Sequence, residues 1–397
     1  MKRSTERILT THAGSLPRPD DLTPLVAARA SGAPYDEQAL ARRLRESVAD
    51  VVRKQVECGI DSVNDGELGK TNFTYYVRER LSGFESRPIR SGERTVVMNI
   101  SARDMQEFPE YFTGRDFFGR PLQPGATPAG GLGVESMAHC VAPLSYIGQE
   151  VLQLDLDNFK AALAGVKAEE GFLPANTPGT IEHWLRNEYY KSDEEFLFAI
   201  ADAMHAEYKA IADAGLILQI DDPDLPDGWQ MFPDMSVAEY RKYADLRVEA
   251  LNHALRDIPP DRVRLHVCWG SFHGPHKYDI PLRDIIDIIF KVRADGVSIE
   301  ASNPRHEHEW RVFEDVKLPD GKVLIPGVIG HASDFIEHPE LVCQRLVRYA
   351  RLVGRENVIA GTDCGLGGRV GHPKIAWAKF EAMAVGARLA TKELWGK

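Results

Sequence analysis

The chain has 397 residues, of which 43% are hydrophobic and 27% are charged, as in globular proteins with a full core. Its formal net charge of −11, from 48 basic and 59 acidic side chains, argues against nucleic acid or an anionic membrane as a partner. No run approaches the roughly 20 apolar residues of a membrane helix, the first seven residues do not resemble a secretory signal, and five widely spaced cysteines suggest no disulfide framework, so we expect a cytoplasmic protein.

Helical and strand-like patterns alternate along the second half of the chain. Apolar side chains at helical spacing predict a helix over residues 192–215, with Ser192 as its N-cap and Gly215 at its end. Further predicted helices cover residues 236–255, 284–294, 340–353 and the C-terminal stretch. The predicted strands between them cover residues 216–221, 264–268, 297–300, 323–329 and 358–364. Alternating strands and helices with short connections indicate a parallel sheet.

Each of these strands ends at or just before a polar side chain that can do chemistry. The side chains are Asp221, His266 with Cys268, Glu300, His331 and Cys364. A (β/α)8 barrel gathers functional residues at the C-terminal ends of many strands, whereas an open doubly wound sheet concentrates them at one switch point. The pattern therefore favours a single-domain (β/α)8 TIM barrel over residues 1–397. The less regular, Pro- and Gly-rich range of about 85–190 is expected to be an insertion that walls the active site.

Four of these strand-end residues have the chemistry of metal ligands. His266 and Cys268 stand two residues apart on one strand, so their side chains point to the same face. Glu300 and Cys364 end two other strands. One imidazole, two thiolates and one carboxylate suit a tetrahedral Zn²⁺ ion, and the sequence therefore predicts a zinc site. The alternative is a pair of buried cysteines, a structural histidine and a surface glutamate.

Four segments occur in a fixed order along the chain: TTHAGSLPR at 10–18, NDGE at 64–67, LQIDDP at 218–223 and DCGL at 363–366. Together they resemble the catalytic barrel of cobalamin-independent methionine synthase, and the resemblance spans nearly the whole chain. It implies that a zinc-bound thiol such as homocysteine attacks an alkyl carbon. Coordination by zinc would deprotonate that thiol, whose ordinary pKa is near 8.5.

The same resemblance implies roles for further residues. His331 resembles the proton donor of the family, and Ser15, Glu67 and Asp221 lie where the family holds the amino group of homocysteine. His12, in the first motif, is either a substrate contact or a structural polar group. Two departures from the family weaken the expectation of methyl transfer to homocysteine, and the second argues against a folate methyl donor. The chain is the size of one barrel rather than two, and residues 143–148 contain no tryptophan to stack on a pterin.

Three segments are also similar to the epoxyalkane:coenzyme M transferases, which are single barrels of the same superfamily. They are CWGSFHGPH at 268–276, PRHEHEWR at 304–311 and DCGLGGR at 363–369. This resemblance implies epoxide opening by coenzyme M, whose sulfonate would need a cation. Arg18, Arg305 and Arg369 are the candidates for that cation. The histidines of 306–308 could form a separate metal site, but a solvated turn is the expected structure.

The sequence therefore predicts a zinc-dependent alkyl or methyl transferase that activates a small thiol. Its partners are expected to be that thiol and an alkyl donor, and its oligomeric state stays open. Epoxide ring opening by a thiol is one alternative. A zinc-binding barrel without catalysis is the other.

Overall fold

The computed structural model describes residues 1–88, 100–113, 136–270 and 274–396. Its described strands are β1 Leu9–Thr10, β2 Ser62–Val63, β3 Phe84–Pro88, β4 Ser136–Cys140, β5 Glu170–Asn176, β6 Leu185–Asn187, β7 Ile217–Asp221, β8 Val263–Val267, β9 Gly296–Ile299, β10 Val323–Ile329 and β11 Ile359–Thr362. Eight of them form one parallel sheet in the order β1-β11-β10-β9-β8-β7-β5-β2. Main-chain and side-chain hydrogen bonds from Asp61 and Thr11 link β1 to β2 and nearly close the sheet. The predicted (β/α)8 barrel is thereby confirmed.

Helices surround this barrel. Within the described residues they are Thr23–Ser31, Glu37–Glu57, Ala102–Glu107, Pro109–Phe112, Gln149–Ala164, Pro178–His183, Asp193–Asp213, Asp224–Met231, Val237–Ala254, Leu282–Ile289, Val312–Asp315, Pro339–Val353 and Pro373–Trp395. Short 3₁₀ helices cover Tyr75–Glu79, Pro260–Arg262, Glu307–Arg311 and Arg355–Asn357. None of the helices among the described residues combines the length and apolarity of a membrane span.

Two of the predicted helices begin at the serines expected to cap them. The side chain of Ser192 accepts a hydrogen bond from the main-chain N–H of Glu195. Ser236 forms a full capping box, in which its side chain bonds the N–H of Glu239 and the Glu239 carboxylate bonds its N–H in return. These bonds satisfy N–H groups that the first helical turn leaves free, and they fix where each helix begins.

Part of the range predicted as an insertion, residues 85–190, belongs to the barrel itself. Helix Gln149–Ala164 and strand β5 lie inside this range, and β5 pairs in parallel with β7 as the third strand of the barrel. Pro174 interrupts the apolar run of β5, which obscured the strand in the sequence. The remaining described strands of the range, β4 and β6, form a separate three-stranded sheet with β3. The glycine-rich stretch 119–133 lies outside the described residues.

A buried polar network fills the barrel toward the N-terminal ends of its strands. Arg264, near the start of β8, donates hydrogen bonds of 2.8 Å to the Gln219 side chain, the Thr11 hydroxyl and the main-chain carbonyl of His12. Its guanidinium also lies over the ring of Phe172. Because side chains occupy this end of the barrel, the C-terminal end is left as the place for a ligand.

Candidate active site

A cavity of about 480 Å³ lies at the C-terminal ends of the barrel strands. Its walls come from segments that are far apart in sequence and that follow β1, β2, β5, β7, β8 and β11. The chemically active side chains that line it are Ser15, Arg18, Glu67, His183, Trp184, Asp221, Asp224, Asp227, His266, Cys268, Cys364 and Arg369. The cavity therefore combines thiols, carboxylates, a tryptophan and cations in one enclosure.

Three of the four predicted metal ligands meet on this cavity. Ligand atoms of His266, Cys268 and Cys364 lie within 4.8 Å of one another. A hydrogen bond of 3.1 Å from His266 Nδ1 to the Ser298 hydroxyl on β9 fixes the imidazole ring. The other nitrogen, Nε2, is buried and has no hydrogen-bond partner among the described residues. One imidazole nitrogen and two sulfurs at this spacing fit zinc, with room for a further ligand.

A hydrogen bond between the two cysteines shifts their pKa values in opposite directions. The hydrogen bond from Cys268 holds the pKa of Cys364 well below its usual value, against the effect of burial. The same bond, together with burial, raises the pKa of Cys268 well above its usual value. Burial lowers the pKa of His266, but the adjacent Cys364 outweighs it and the net shift is upward. The site thus favours the thiolate form of Cys364, the form that binds metals.

Glu300 lies beside these three residues but outside their 4.8 Å group. Its carboxylate is buried, and it accepts a hydrogen bond of 3.3 Å from the main-chain N–H of Trp269 and one of 2.7 Å from the Asn303 side chain. Burial, then the charge of Asp363, raises the pKa of Glu300 well above its usual value. Its assignment as a metal ligand stays a prediction.

Asp363 couples the end of β9 to the end of β11. Its carboxylate accepts hydrogen bonds of 2.7 and 3.0 Å from the main-chain N–H groups of Ala301 and Ser302, and one of 2.6 Å from the Ser302 hydroxyl. Asp363 directly precedes Cys364, while Ala301 directly follows Glu300. Sequence reasoning gave Asp363 no role, although it stands in the DCGL motif.

The glycine-rich segment after Cys364 packs against Ser15. The N–H groups of Leu366 and Gly367 both donate 2.9 Å hydrogen bonds to the main-chain carbonyl of Ser15. A Cβ atom at position 367 would lie 2.5 Å from the Ser15 hydroxyl oxygen, so only glycine allows this approach. These contacts bring Ser15 and Cys364 to neighbouring parts of the cavity wall.

Glu67 and Asp221 present two carboxyl groups to the same cavity. Glu67 has a positive φ of 56°, which the hydrogen bond from its N–H to the Asp65 carboxylate supports, and its side chain faces Lys70 Nζ at 3.4 Å. Asp221 accepts a 2.7 Å hydrogen bond from the Gln219 side chain. Burial raises the pKa of Asp221 to about 7, although His266 acts in the opposite direction. Two such groups suit a ligand that carries an amine.

Comparison with known proteins identifies the family of this barrel. Residues 140–387 match the family described as "Cobalamin-independent synthase, Catalytic domain". The chain belongs to this family. It is similar to a protein named methionine synthase from Thermococcus kodakarensis, with 25% identity over 97% of this chain and 94% of the relative. A methionine synthase from Sulfurisphaera tokodaii is also 25% identical, over 98% of this chain and 94% of its own.

A solved structure gives the same fold for the cobalamin-independent synthase family. The B12-independent methionine synthase from Shewanella sp. W3-18-1, solved in complex with selenomethionine, superimposes with a TM-score of 0.70 at 20% sequence identity. The match covers 98% of this chain and 100% of the other. At this identity the likeness shows the fold alone.

His331 lies two residues beyond β10, among the same strand ends of this synthase-family barrel. Its side chain is buried, and its Nδ1 atom has no hydrogen-bond partner among the described residues. Burial lowers the pKa of His331 to about 4, while Cys364 acts to raise it. His331 is not among the residues that line the cavity, and its charge interaction with Cys364 indicates that it lies near the thiols.

The structure does not bring His12 to the cavity. Its Nε2 atom hydrogen-bonds to the Gln55 side chain at 2.7 Å, and its Nδ1 atom accepts from the N–H of Gly14 at 3.2 Å. The rings of Phe172 and Phe380 pack against it, each with a centroid distance of 5.2 Å. Burial lowers the pKa of His12 to about 3. Both nitrogens thus have protein partners, and the role of His12 as a substrate contact stays a prediction.

Trp184 is a cavity residue that the sequence reasoning missed. It directly follows helix Pro178–His183, which in turn follows β5, and its ring contacts Tyr75 edge-on at 5.8 Å. By the family resemblance, the tryptophan that stacks on a pterin would correspond to residues 143–148, which contain none. Recognising β5 would have placed Trp184 just beyond a strand end, but Pro174 hid that strand.

Two of the three candidate arginines line the cavity, and one does not. Arg305 is exposed and donates a 2.7 Å hydrogen bond to the main-chain carbonyl of Lys277, away from the cavity lining. Arg18 lines the cavity but donates to the main-chain carbonyls of Glu67 and Lys70. Arg369 also lines the cavity. His273 of the second resemblance lies outside the described residues.

Proposed function

We propose that the protein is a zinc-dependent methyltransferase that methylates a small amino-acid thiol of the homocysteine class. The observation that carries this proposal is the group of His266, Cys268 and Cys364 on one cavity with Glu67 and Asp221. Family membership and full-length similarity to methionine synthases support the same reaction class.

His266, Cys268 and Cys364 are the residues that would hold zinc. When bound there, zinc favours the thiolate form of a substrate thiol, so that its sulfur can attack carbon near neutral pH. Glu300 is the predicted fourth ligand. Its hydrogen bonds with Trp269 and Asn303 orient a buried carboxylate beside the cysteine pair.

Glu67 and Asp221 would bind the ammonium group of the amino-acid thiol. A cation close to a buried carboxyl group favours its charged form, so the bound ammonium would lower the pKa of Asp221 from about 7. A sulfonate such as that of coenzyme M would meet these carboxylates as a like charge. Arg18 and Arg369 also line the cavity, so the preference for an amine over a sulfonate rests on the two carboxyl groups of Glu67 and Asp221.

His331 would carry the proton that the reaction moves. Methylation of a thiol releases the thiol proton, and the group that loses the methyl gains a proton, so the two balance. With a pKa lowered to about 4, His331 is neutral at pH 7 and can accept a proton before donating it. Trp184 on the same cavity offers an aromatic surface to a planar or cationic methyl donor.

The proposal is tested by thermal unfolding of the zinc-loaded and chelated protein with three thiols. They are homocysteine, its analogue 4-mercaptobutyrate, which lacks the amine, and coenzyme M. A ligand that binds the native state stabilises it by about 2.7 kcal/mol at a hundredfold excess over its dissociation constant. We expect the largest shift with homocysteine, only when zinc is present.

Variants Glu67→Gln and Asp221→Asn separate the amine site from the metal site. Each should reduce the shift caused by homocysteine and leave the smaller shift caused by 4-mercaptobutyrate unchanged. Equal shifts from these two thiols in the wild type would contradict the amine site. No zinc-dependent shift with any thiol would contradict the proposed function itself.

A further inference from the structure

A second histidine, His306, lies behind the proposed metal centre and is fully packed. The expected solvated turn at 306–308 is wrong for this residue, because its side chain is buried. Its Nδ1 atom is 2.8 Å from a Glu309 carboxylate oxygen, and its Nε2 atom is 3.1 Å from a carboxylate oxygen of Asp279. An ionised carboxylate only accepts hydrogen bonds, so these contacts hold a ring that donates from both nitrogens.

The ring of His306 stacks on the residue that follows Cys268. The imidazole and the Trp269 indole have centroids 4.1 Å apart and planes inclined by 26°. The indole N–H donates a 2.8 Å hydrogen bond to the main-chain carbonyl of Ile280, which holds its other edge. A cationic ring over an indole face is a favourable arrangement. Trp269 is therefore fixed on one face and one edge.

The main chain of His306 is tied to Asn303. Its N–H lies 3.0 Å from the Asn303 side-chain oxygen, while the amide nitrogen of the same side chain donates to Glu300 at 2.7 Å. Trp269, under the His306 ring, donates its own main-chain N–H to the other Glu300 oxygen at 3.3 Å. His306 thus contacts both residues that orient the Glu300 carboxylate, Trp269 through its ring and Asn303 through its main-chain N–H.

We propose that His306 is a positioning residue that fixes the Glu300 carboxylate at the metal centre through Trp269 and Asn303. The inference rests on the proposed function, since Glu300 is the predicted fourth ligand of the zinc. Residues that orient ligands typically change metal affinity by about ten- to a hundredfold when they are mutated. Neither Asp279 nor Glu309 is among the residues that line the cavity, so the argument for His306 runs through its contacts with Trp269 and Asn303.

The test uses the full-length protein loaded with Co²⁺, whose visible absorption reports its ligands without any substrate. His306→Gln keeps one amide donor but loses the ring and the second donor. We expect it to weaken Co²⁺ binding by about tenfold or more and to change the ligand-field bands. His308→Gln is the matched control, since His308 is exposed in the 3₁₀ helix that begins directly after His306 and should behave as wild type.

Asn303→Ala provides a second route to the same carboxylate, and it decides the question if His306→Gln does not fold. It removes the side-chain donor to Glu300 and should change the Co²⁺ bands in the same direction. Wild-type affinity and wild-type bands in folded His306→Gln, or in Asn303→Ala if the first variant is unfolded, would overturn the inference. Wild-type protein that binds no Co²⁺ would instead contradict the proposed metal centre, and the inference would fall with it.

Discussion

His331 illustrates how burial decides the role of a single side chain. Its Nδ1 atom has no partner among the described residues, and burial lowers its pKa to about 4. An imidazole in this state is neutral at pH 7, so it has to accept a proton before it can donate one. In the proposed function, the proton that His331 delivers would come from the reaction itself.

Replacing His331 by alanine should therefore slow turnover without weakening thiol binding. We expect kcat for methyl transfer to fall by roughly 10²–10⁴-fold, the usual contribution of a positioned acid or base. The Michaelis constant for the thiol and the zinc content should stay near those of wild type, as steady-state kinetics and metal analysis would show. His308→Ala is the control. Full turnover in His331→Ala would remove His331 from the mechanism.

Asp65 is a buried carboxyl group whose contribution to the stability of the fold depends on pH. Burial, followed by the charge of Asp155, raises its pKa from 3.8 to about 7. The folded protein therefore holds this proton more tightly than the unfolded chain does, and stability falls as pH rises through the window from 3.8 to 7. Asparagine at position 65 can still accept the hydrogen bond from the Glu67 N–H and has no charge to bury.

We expect Asp65→Asn to gain stability relative to wild type as pH rises from about 4 to 7. The slope approaches about 1.4 kcal/mol per pH unit within that window. Urea unfolding at both ends of the window measures it. Asp50→Asn, at an exposed helical position, should show no such trend. A stability difference for Asp65→Asn that does not change with pH would contradict the assigned shift.

Local backbone geometry determines which site residues can be predicted from the sequence. His266 and Cys268 stand two apart on a strand, and their common direction follows from strand geometry alone. His12 stands in the opening sequence motif, yet its side chain hydrogen-bonds to Gln55 inside the barrel wall. Only the packing of Phe172 and Phe380 around it decides that outcome, and no local pattern carries this information.

Elements differ in how clearly the sequence marks them. Helices Asp193–Asp213 and Val237–Ala254 have serine caps and apolar spacing, and both were predicted within two residues at each end. Strand β5 has Pro174 at its centre and was missed, although all residues from Phe172 to Asn176 are buried. Its neighbours β2 and β7 hold it in the sheet, so tertiary pairing overrides the local signal.

The close contact between β10 and β11 yields a prediction at the level of elements. A Cβ atom at Gly327 would lie 2.2 Å from an Asp363 carboxylate oxygen and 2.6 Å from its main chain. Gly327→Ala should therefore push β11 away and lower the free energy of unfolding by about 1–3 kcal/mol. Because Asp363 also holds the end of β9, zinc affinity should fall as well.

Urea unfolding and chelator competition measure the two effects of Gly327→Ala. Gly165→Ala is the matched control, since its added Cβ atom meets nothing closer than 3.4 Å. We expect it to change stability by less than about 0.5 kcal/mol. If Gly327→Ala matched the control in both measurements, the strands would be less tightly coupled than the structure indicates.

At the scale of the whole molecule, the barrel was predictable because its strand ends carry the chemistry. Asp221, His266, Glu300, His331 and Cys364 are spread over more than a hundred residues, and only a parallel barrel brings them to one face. The buried contacts behind these residues were not predictable. The stacking of His306 on Trp269 joins two loops after different strands, and loop conformations leave no periodic trace in a sequence.

The polar network around Arg264 affects from which end a ligand can enter the barrel. Arg264 bridges Gln219, Thr11 and His12 across the interior, so hydrogen-bonded side chains occupy this end of the barrel. In the proposed function, both reactants and both products would enter and leave at the C-terminal ends of the strands. If the thiol binds at the strand ends and the methyl donor beside Trp184, we expect the thiol to bind first and its methylated form to leave last.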